Sequence, residues 1–345
     1  MEKISDISPF IYETGIKIRD VLLRFDSAIL QVGCVVDGDR RLVGTVTDGD
    51  IRRGMLRGVG LDDPVDRCMN TEPHVLRRGR DFTPELTRYE FLPLVDADGH
   101  LVDLFIAKPQ TLRQGTCLVM AGGYGSRMGD LTRTVPKPLL PLDDQPILHH
   151  VLQRLEDTGY RQVYVSTFHL SDQIEAFIDG RKNEADIQVL KEDSKLGTAG
   201  AISLIPKWVD DPLIVLNGDV VTKIDLRAFT EFHTNNQLHA TVAVARYEHD
   251  VPYGVVRQND DGLFAGIEEK PKLRYFVSAG IYCFGKEILS LVPENVPMDM
   301  PELLNEAREL GMKVGLFPIH EYWKDVGRPS DLSRAQADHG ASDVK

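Results

Sequence analysis

From Thr116 onward the chain alternates short, continuous apolar runs with segments of helical spacing, and this alternation constrains the fold more than any other feature. Thr116-Cys-Leu-Val-Met120 reads as a strand buried on both faces, and Leu148, Val151, Leu152 and Leu155 then recur at the three- and four-residue spacing of a helix. Val163-Tyr-Val-Ser-Thr167, Ile187-Gln-Val-Leu190 and Leu213-Ile-Val-Leu216 repeat the strand pattern between helix-like segments. Such alternation predicts an α/β, Rossmann-like architecture with a mostly parallel, doubly wound sheet. A ligand is expected at the carboxyl ends of its strands.

The preceding residues follow another rule. Gly33-Cys-Val-Val36, Asp37-Gly-Asp-Arg-Arg41 and Leu42-Val-Gly-Thr-Val46 read as a hairpin with an acidic turn. The pattern returns as Leu92-Pro-Leu-Val95, Asp96-Ala-Asp-Gly-His100 and Leu101-Val-Asp-Leu-Phe-Ile106, an offset of 59 residues (95 − 36). Two such copies are expected to pack on each other. The polar, proline-containing stretch from Lys108-Pro109 to Gly115 separates the two patterns, and 345 residues suit two domains, here 1–115 and 116–345.

Composition narrows the partners. With 53 acidic and 40 basic side chains the formal charge is −13, which repels phosphate backbones and anionic lipid and argues against nucleic acid or membrane as the primary partner. No apolar run approaches the roughly 20 residues that cross a bilayer, and Met1-Glu-Lys-Ile-Ser-Asp6 lacks the pattern of a secretion signal. A cytoplasmic enzyme is expected. Cys34, Cys68, Cys117 and Cys283 form no CxxC pair and read as small buried hydrophobes.

Gly44-Thr-Val-Thr-Asp-Gly-Asp-Ile-Arg-Arg53 is a strand running into a capped helix. With the repeat around it, the first 115 residues resemble a tandem pair of CBS domains, and the Thr47-x-x-Asp50 spacing carries the resemblance. It implies that Thr47 meets a nucleotide phosphate at the helix start and Asp50 the ribose hydroxyls of an adenine nucleotide. A structural alternative is that Thr47 begins a turn and Asp50 caps the helix. The second copy has Ile106 and Pro109 at those places, so it is degenerate, and the apolar faces offer a dimer interface instead.

Directly after the first strand of the second part comes Ala121-Gly-Gly-Tyr-Gly-Ser-Arg-Met128, followed by Val135-Pro-Lys-Pro-Leu-Leu-Pro141. Glycines let backbone N–H groups approach oxyanions, and an arginine and a lysine add positive charge there. The spacing fits neither GxGxxG nor the GK[ST] of a P-loop. The whole string resembles the signature of sugar-1-phosphate nucleotidylyltransferases, over roughly Cys117 to Asp331, and implies their nucleotide-diphospho-sugar transferase fold. By that resemblance Ala121, Gly122, Gly123, Gly125 and Ser126 hold the nucleotide, Arg127 polarises its phosphates and Lys137 bridges to the reacting ones. Leu196-Gly-Thr-Ala-Gly200 supplies Gly197, Thr198 and Ala199 beside the nucleotide and Gly200 beside the sugar, unless Thr198 merely caps a helix. Leu213-Ile-Val-Leu-Asn-Gly-Asp219 ends a buried strand in a carboxylate that needs a compensating cation. The resemblance makes Asp219 a Mg2+ ligand, next to Gly218 at the nucleotide, and Tyr322-Trp-Lys-Asp-Val-Gly327 offers Asp325 as the second ligand. Tyr253-Gly254, Glu269-Lys270 and Ser278-Ala-Gly280 match the family's sugar-pocket segments in order, with Glu269 accepting from sugar hydroxyls and Lys270 neutralising the sugar phosphate. Ser278 departs from the asparagine that is common there, which leaves the sugar open.

These parts permit in-line attack of a sugar-1-phosphate oxygen on the α-phosphorus of a nucleoside triphosphate, with pyrophosphate leaving. The PKP and LGTAG forms resemble the guanylyl-transferring branch, so GTP is the expected donor. A CBS pair ahead of such a domain resembles the guanylyltransferases that activate glucosamine-type sugars for nonulosonic (legionaminic) acid synthesis, which makes glucosamine 1-phosphate the expected acceptor and mannose 1-phosphate the alternative. A reading of another class is a nucleotide-sensing protein that has lost catalysis; the presence of Arg127, Lys137, Asp219 and Asp325 speaks against it. Both family resemblances imply a homo-oligomer, a dimer or tetramer. After Asp331 only a short helix and tail are expected, leaving no room for an acyltransferase β-helix.

Overall fold

The structure is a computed structural model that describes residues 2–25, 28, 30–77, 91–106, 115–206 and 212–342. It divides into two compact units, Met1–Thr111 and Leu112–Lys345. Pro109 and the Lys108-Pro109 stretch lie outside the described residues.

The first unit contains β1 (Glu2–Lys3), β2 (Ile11–Glu13), α1 (Ile18–Phe25), β3 (Val32–Val36), β4 (Leu42–Thr47), α2 (Asp48–Leu56), β5 (Leu76–Arg77), β6 (Phe91–Val95) and β7 (Leu101–Ile106). β3 and β4 form one antiparallel hairpin, β6 and β7 the other. Their turns are built alike: Asp37 accepts from the amides of Asp39 and Arg41, and Asp96 from those of Asp98 and His100. Such an aspartate substitutes for a backbone acceptor and fixes the turn. The two copies do pack together. Leu42 donates to the Gly99 carbonyl and Leu101 to that of Arg40, both at 3.0 Å, and Val32, Cys34 and Val36 share a buried cluster with Leu101 and Leu104.

The second unit begins with β8 (Thr116–Met120), β9 (Pro141–Leu142), β10 (Gln145–Pro146), α3 (Ile147–Thr158), β11 (Gln162–Thr167), α4 (Ser171–Gly180), β12 (Asp186–Lys191), α5 (Gly197–Gly200), β13 (Leu213–Asn217), β14 (Val220–Thr222) and α6 (Leu226–Asn235). It continues through β15 (Ala240–Asp250), β16 (Val255–Gln258), β17 (Phe264–Glu268), β18 (Lys272–Phe284), α7 (Lys286–Leu289), α8 (Met300–Glu309), β19 (Val314–Ile319), β20 (Trp323–Asp325) and α9 (Pro329–Ser342). Seven strands make one sheet in the order β12-β11-β8-β13-β18-β15-β19. Only β18 runs against the rest. The sheet is covered on both faces, and the period of two along each strand shows it. Cys117 and Val119 join one core cluster with Ile214, Leu216, Val163 and Val165. Leu118, Tyr164, Leu213 and Val215 join the other. A fully buried aliphatic side chain of this kind contributes about 2 kcal/mol over leaving it in water, so the central strands form a rigid base for the loops at their ends.

The strand order reverses beside β8: β11 and β12 lie to one side, β13 to the other. That crevice, at the carboxyl ends of β8 and β13, is where an open α/β sheet takes its ligand. All four cysteines are buried. No helix among the described residues is long and apolar enough to cross a membrane.

Candidate active site

The glycine-rich loop leaves β8 at Ala121, which is buried and donates to the Ser166 carbonyl at 2.8 Å. Gly125 sits at φ 64°, and a Cβ there would lie 2.9 Å from the Thr132 side chain and 3.1 Å from Lys137 Cβ. Both the backbone and the space therefore require glycine. Thr132 in turn donates its hydroxyl to the Gly125 carbonyl at 2.9 Å, closing the loop into a compact turn that exposes Gly123, Ser126 and Arg127.

Lys137 reaches in from the far side of that turn. It is buried, and its Nζ forms an ion pair with Asp219 Oδ2. Asp219 follows β13, and Gly218 before it donates to the Met120 carbonyl at 2.8 Å, so that β8 and β13 end side by side. The other oxygen, Asp219 Oδ1, is buried without a hydrogen-bond partner. A buried anionic oxygen in that state costs free energy unless something binds it.

Asp325 arrives through a separate ladder. β14 and β20 pair antiparallel with Val220 opposite Asp325, and the Val326 amide donates to the Asp219 carbonyl at 3.3 Å. Burial raises the Asp325 pKa and the Asp219 carboxylate raises it further, while Lys137 and Arg127 pull it down. A Cβ placed on Gly327 would be 3.4 Å from Asp325 Oδ2 and 3.6 Å from Arg127 Nη1. The structure thus brings Arg127, Lys137, Asp219 and Asp325 to one place from four segments of chain. Two carboxylates with one oxygen unsatisfied fit a hard divalent cation, which takes carboxylate oxygens and keeps further positions for phosphate.

Gly197, Thr198, Ala199 and Gly200 form the first turn of a short helix held by the 298–300 segment. Ala199 and Gly200 donate to the Met298 carbonyl at 2.9 and 3.0 Å. Thr198 gives its amide to Asp299 Oδ1 at 3.0 Å, and its hydroxyl accepts from the Met300 amide at 2.7 Å. The Thr198 side chain is therefore engaged in structure. What ties this turn to the glycine loop is Glu192, which sequence reasoning passed over. Its Oε2 accepts from the Leu196 amide at 3.0 Å. Its Oε1 would lie 2.8 Å from a Cβ on Gly122, so that glycine makes room for the carboxylate. Burial raises the Glu192 pKa, against the lowering by the Leu196 amide. The missed signal is that Glu192 immediately follows a strand of the sheet, as Ala121 and Gly218 do.

The sugar-pocket segments fall into two groups. Gly280, at φ 72°, lies against the Asn217 side chain beside Gly218, and the Ala279 carbonyl accepts from Trp323 Nε1 at 2.9 Å on the strand that carries Asp325. Ser278 Oγ is 2.9 Å from the Tyr282 hydroxyl. Tyr253, Gly254, Glu269 and Lys270 form the other group, just before β16 and just after β17 at the base of a hairpin outside the main sheet: Lys270 donates its amide to the Tyr253 carbonyl at 3.2 Å, and Glu269 Oε2 faces Gly254.

In the first unit Thr47 and Asp50 spend their polar groups on each other. Asp50 Oδ2 accepts from the Thr47 amide and hydroxyl at 2.9 and 2.7 Å, the Thr47 hydroxyl accepts from the Asp50 amide at 3.1 Å, and Arg53 pairs with Asp50 Oδ1 at 2.7 Å. This is a capping box at the start of α2.

Comparison with known proteins agrees with this architecture. Residues 116–342 match the family described as "Nucleotidyl transferase", and residues 4–57 match "CBS domain". The mannose-1-phosphate guanylyltransferase catalytic subunit beta of Drosophila pseudoobscura pseudoobscura is 31% identical over 233 residues, 64% of this chain and 62% of that protein. The bifunctional protein GlmU of Methanocaldococcus jannaschii is 29% identical over 229 residues, 63% of this chain and 52% of that one. The chain thus spans less than two thirds of the length of these relatives. Among solved structures, HddC from Yersinia pseudotuberculosis superposes with a TM-score of 0.53 at 24% identity, over 65% of this chain and 99% of that one, which shows the shared fold. Matched along nearly the whole of its second unit, with a CBS domain ahead of it, the chain belongs to the nucleotidyl transferase family.

Proposed function

We propose that the chain transfers a guanylyl group from GTP to a sugar 1-phosphate, glucosamine 1-phosphate or a related hexosamine phosphate, releasing pyrophosphate. The observation that carries the reading is the convergence of Lys137, Asp219 and Asp325 at the β8–β13 crevice with Asp219 Oδ1 left unsatisfied. An oxygen of the sugar phosphate forms the new bond to the α-phosphorus, and the bond from that phosphorus to the pyrophosphate oxygen breaks. The attacking oxygen is already anionic, so no protein base or nucleophile is needed. What the chain supplies is alignment and charge: Arg127 and Lys137 face the phosphates of the donor, and Lys270 the sugar phosphate. Asp219 and Asp325 would hold a magnesium ion, which neutralises phosphate charge when bound.

Glu192 supports guanine. Its Oε1 lies beside Gly122, and a carboxylate accepts from the two adjacent donors of guanine, N1–H and N2–H2, whereas uracil or thymine offers one donor, N3–H, flanked by two carbonyl oxygens that repel it. Relatives named mannose-1-phosphate guanylyltransferase support the same base and favour mannose 1-phosphate as the second reading of the acceptor. An adenine nucleotide at the CBS domain is a further proposal, resting on the family match; using Thr47 and Asp50 would require opening their capping box.

The test is magnesium-dependent pyrophosphate release from GTP, UTP, dTTP, ATP and CTP against glucosamine, N-acetylglucosamine, mannose and glucose 1-phosphates, with Asp219→Asn as control. Release confined to GTP and a hexosamine phosphate upholds the reading; release with mannose 1-phosphate alone transfers it to the second acceptor. Nucleotide binding without release in any combination overturns it in favour of a sensor.

A further inference from the structure

Two cations stand at the crevice, and they are held differently. Lys137 is buried and paired with Asp219. Arg127 lies on the exposed turn after Gly125, and its guanidinium has no hydrogen-bond or ion-pair partner among the described residues. The backbone there is fixed, because the neighbouring Met128 is buried and donates its amide to the Gly125 carbonyl at 2.8 Å. The arginine side chain is not, and a long side chain has much rotamer freedom to lose before it can act at one place.

An acid that no motif singled out faces it. Asp331 belongs to the first turn of α9, a helix seated in the core through Leu332 and Ala335, and its amide donates to the Arg328 carbonyl at 2.9 Å. The Asp331 carboxylate is half-buried and also has no hydrogen-bond or ion-pair partner among the described residues, its basic chain neighbours Arg328 and Arg334 included. A carboxylate left so is unfavourable unless a positive charge is near. Gly327 shows which one. A Cβ on it would lie 3.7 Å from Asp331 Oδ2 and 3.6 Å from Arg127 Nη1, with Asp325 Oδ2 at 3.4 Å. The missing side chain thus leaves acid and guanidinium facing each other across a gap, with no direct bond between them. Asp325 feels both: after burial and Asp219, which raise its pKa, and Lys137 and Arg127, which lower it, Asp331 raises it again.

The gap matters chemically. A guanidinium locked in a bidentate pair with a carboxylate has committed the donors that a phosphate needs. One drawn by a charge a few ångströms away keeps those donors and loses only its freedom to swing out into solvent. An acid on a rigid helix can therefore aim an arginine on a loop, and a cation aimed in advance stabilises charge on a departing pyrophosphate without reorganising during the reaction.

We propose that Asp331 is a positioning residue for Arg127: across Gly327 its carboxylate holds the guanidinium at the β8–β13 crevice with its donors free for the phosphates of the nucleotide. The inference rests on nucleotidyl transfer at this crevice and not on the choice of base or sugar. The test is a double-mutant cycle on the full chain, read by steady-state pyrophosphate release with the nucleotide and sugar 1-phosphate that the parent turns over fastest. Asp331→Asn lowers kcat about 10-fold and does not raise the KM for the nucleotide, because losing an acid near the phosphates lessens repulsion of the bound substrate. In an Arg127→Ala background the same substitution changes kcat by less than about 2-fold. Asp331→Glu, which keeps the charge, restores most of the rate. A readout that needs no turnover is the side-chain Nε–H signal of Arg127, assigned by its loss in Arg127→Ala: its heteronuclear NOE falls in Asp331→Asn as the side chain is released. An equal loss of kcat in the two backgrounds, a kcat for Asp331→Asn within about 2-fold of the parent, or an Nε–H signal unchanged by the substitution overturns the proposal. A parent that releases no pyrophosphate, with an Nε–H signal that still responds to Asp331→Asn, strikes the transfer reading and leaves the positioning of Arg127 standing.

Discussion

In each unit an acid stands two or three residues beyond the end of a strand, and the two acids have opposite fates. After β4, Asp50 has both carboxylate oxygens occupied, by Thr47 and by Arg53. After β13, Asp219 has one oxygen on buried Lys137 and the other on nothing. A group whose hydrogen bonds are complete contributes stability, and a group left incomplete in a buried place is held ready for something that arrives later. The contrast separates a corner that builds a helix from a corner that holds a ligand.

The largest expected effect breaks the ligand corner. Asp219→Asn keeps the size of the side chain and an acceptor for Lys137, so the protein should fold with unchanged circular dichroism. Turnover should fall by about 10³-fold or more, because a preorganised charge at the phosphates is lost. Residual pyrophosphate release near the parent rate would mean that the orphaned oxygen has no part in the reaction.

A smaller effect tests the base. Glu192→Gln replaces one acceptor oxygen by an N–H2 donor facing the donors of guanine. The ratio of kcat/KM for GTP over UTP should drop about 10- to 100-fold, the cost of leaving buried polar groups mismatched. Steady-state pyrophosphate release with each nucleotide measures it, and an unchanged ratio would place the base elsewhere.

The alternation of strands and helices is legible because it is a local pattern of buried runs, and Arg127, Lys137, Asp219 and Asp325 stand in short motifs that carry the family resemblance. The order of the strands and its reversal beside β8 are set by long-range pairing that no local pattern encodes. Glu192 follows a strand directly, but it stands among Lys191, Asp193 and Lys195 and reads as one more solvated charge. Only the approach of Gly122, 70 residues earlier (192 − 122), distinguishes it. For Thr47 and Asp50 one spacing serves both a nucleotide contact and a capping box, and coordinates are needed to see the polar groups consumed. The exposed hairpin of β16 and β17 is hidden for a further reason. An apolar residue on a strand looks the same in sequence whether a sheet covers it or, as at Val256 and Ile267, 60% and 61% exposed, nothing among the described residues does.

Asp325 yields a subtler prediction, in stability. Its pKa is raised in the folded chain by burial and by Asp219. At low pH it is protonated in both states and has no effect. As pH rises past the ordinary carboxylate value of 3.8 the unfolded chain releases its proton first, so the folded state loses ground until the raised pKa is passed. Asp325→Asn removes that penalty. In metal-free buffer it should unfold at a higher temperature than the parent at neutral pH, with the gap closing as pH falls toward 3.8. Added magnesium should narrow the gap from the other side by stabilising only the parent. A variant less stable than the parent at neutral pH would show that Asp325 is a structural residue and that the acidic pair is no metal site.

The smallest effect belongs to the satisfied corner. Thr47→Ala removes the hydroxyl that accepts from the Asp50 amide and frees half of the capping box. The expected cost is about 1 kcal/mol, the usual value of an N-cap, seen as a lower denaturant midpoint for the first unit. Pyrophosphate release should stay at the parent rate, because the lost bonds hold α2 and nothing in the reaction. Titration of an adenine nucleotide into parent and variant then decides what the corner is for. If the parent binds and the variant does not, the box opens to admit ligand, and the bonds of Thr47 serve two states. If neither binds, the threonine does no more than start a helix, and the difference between the two acids is complete.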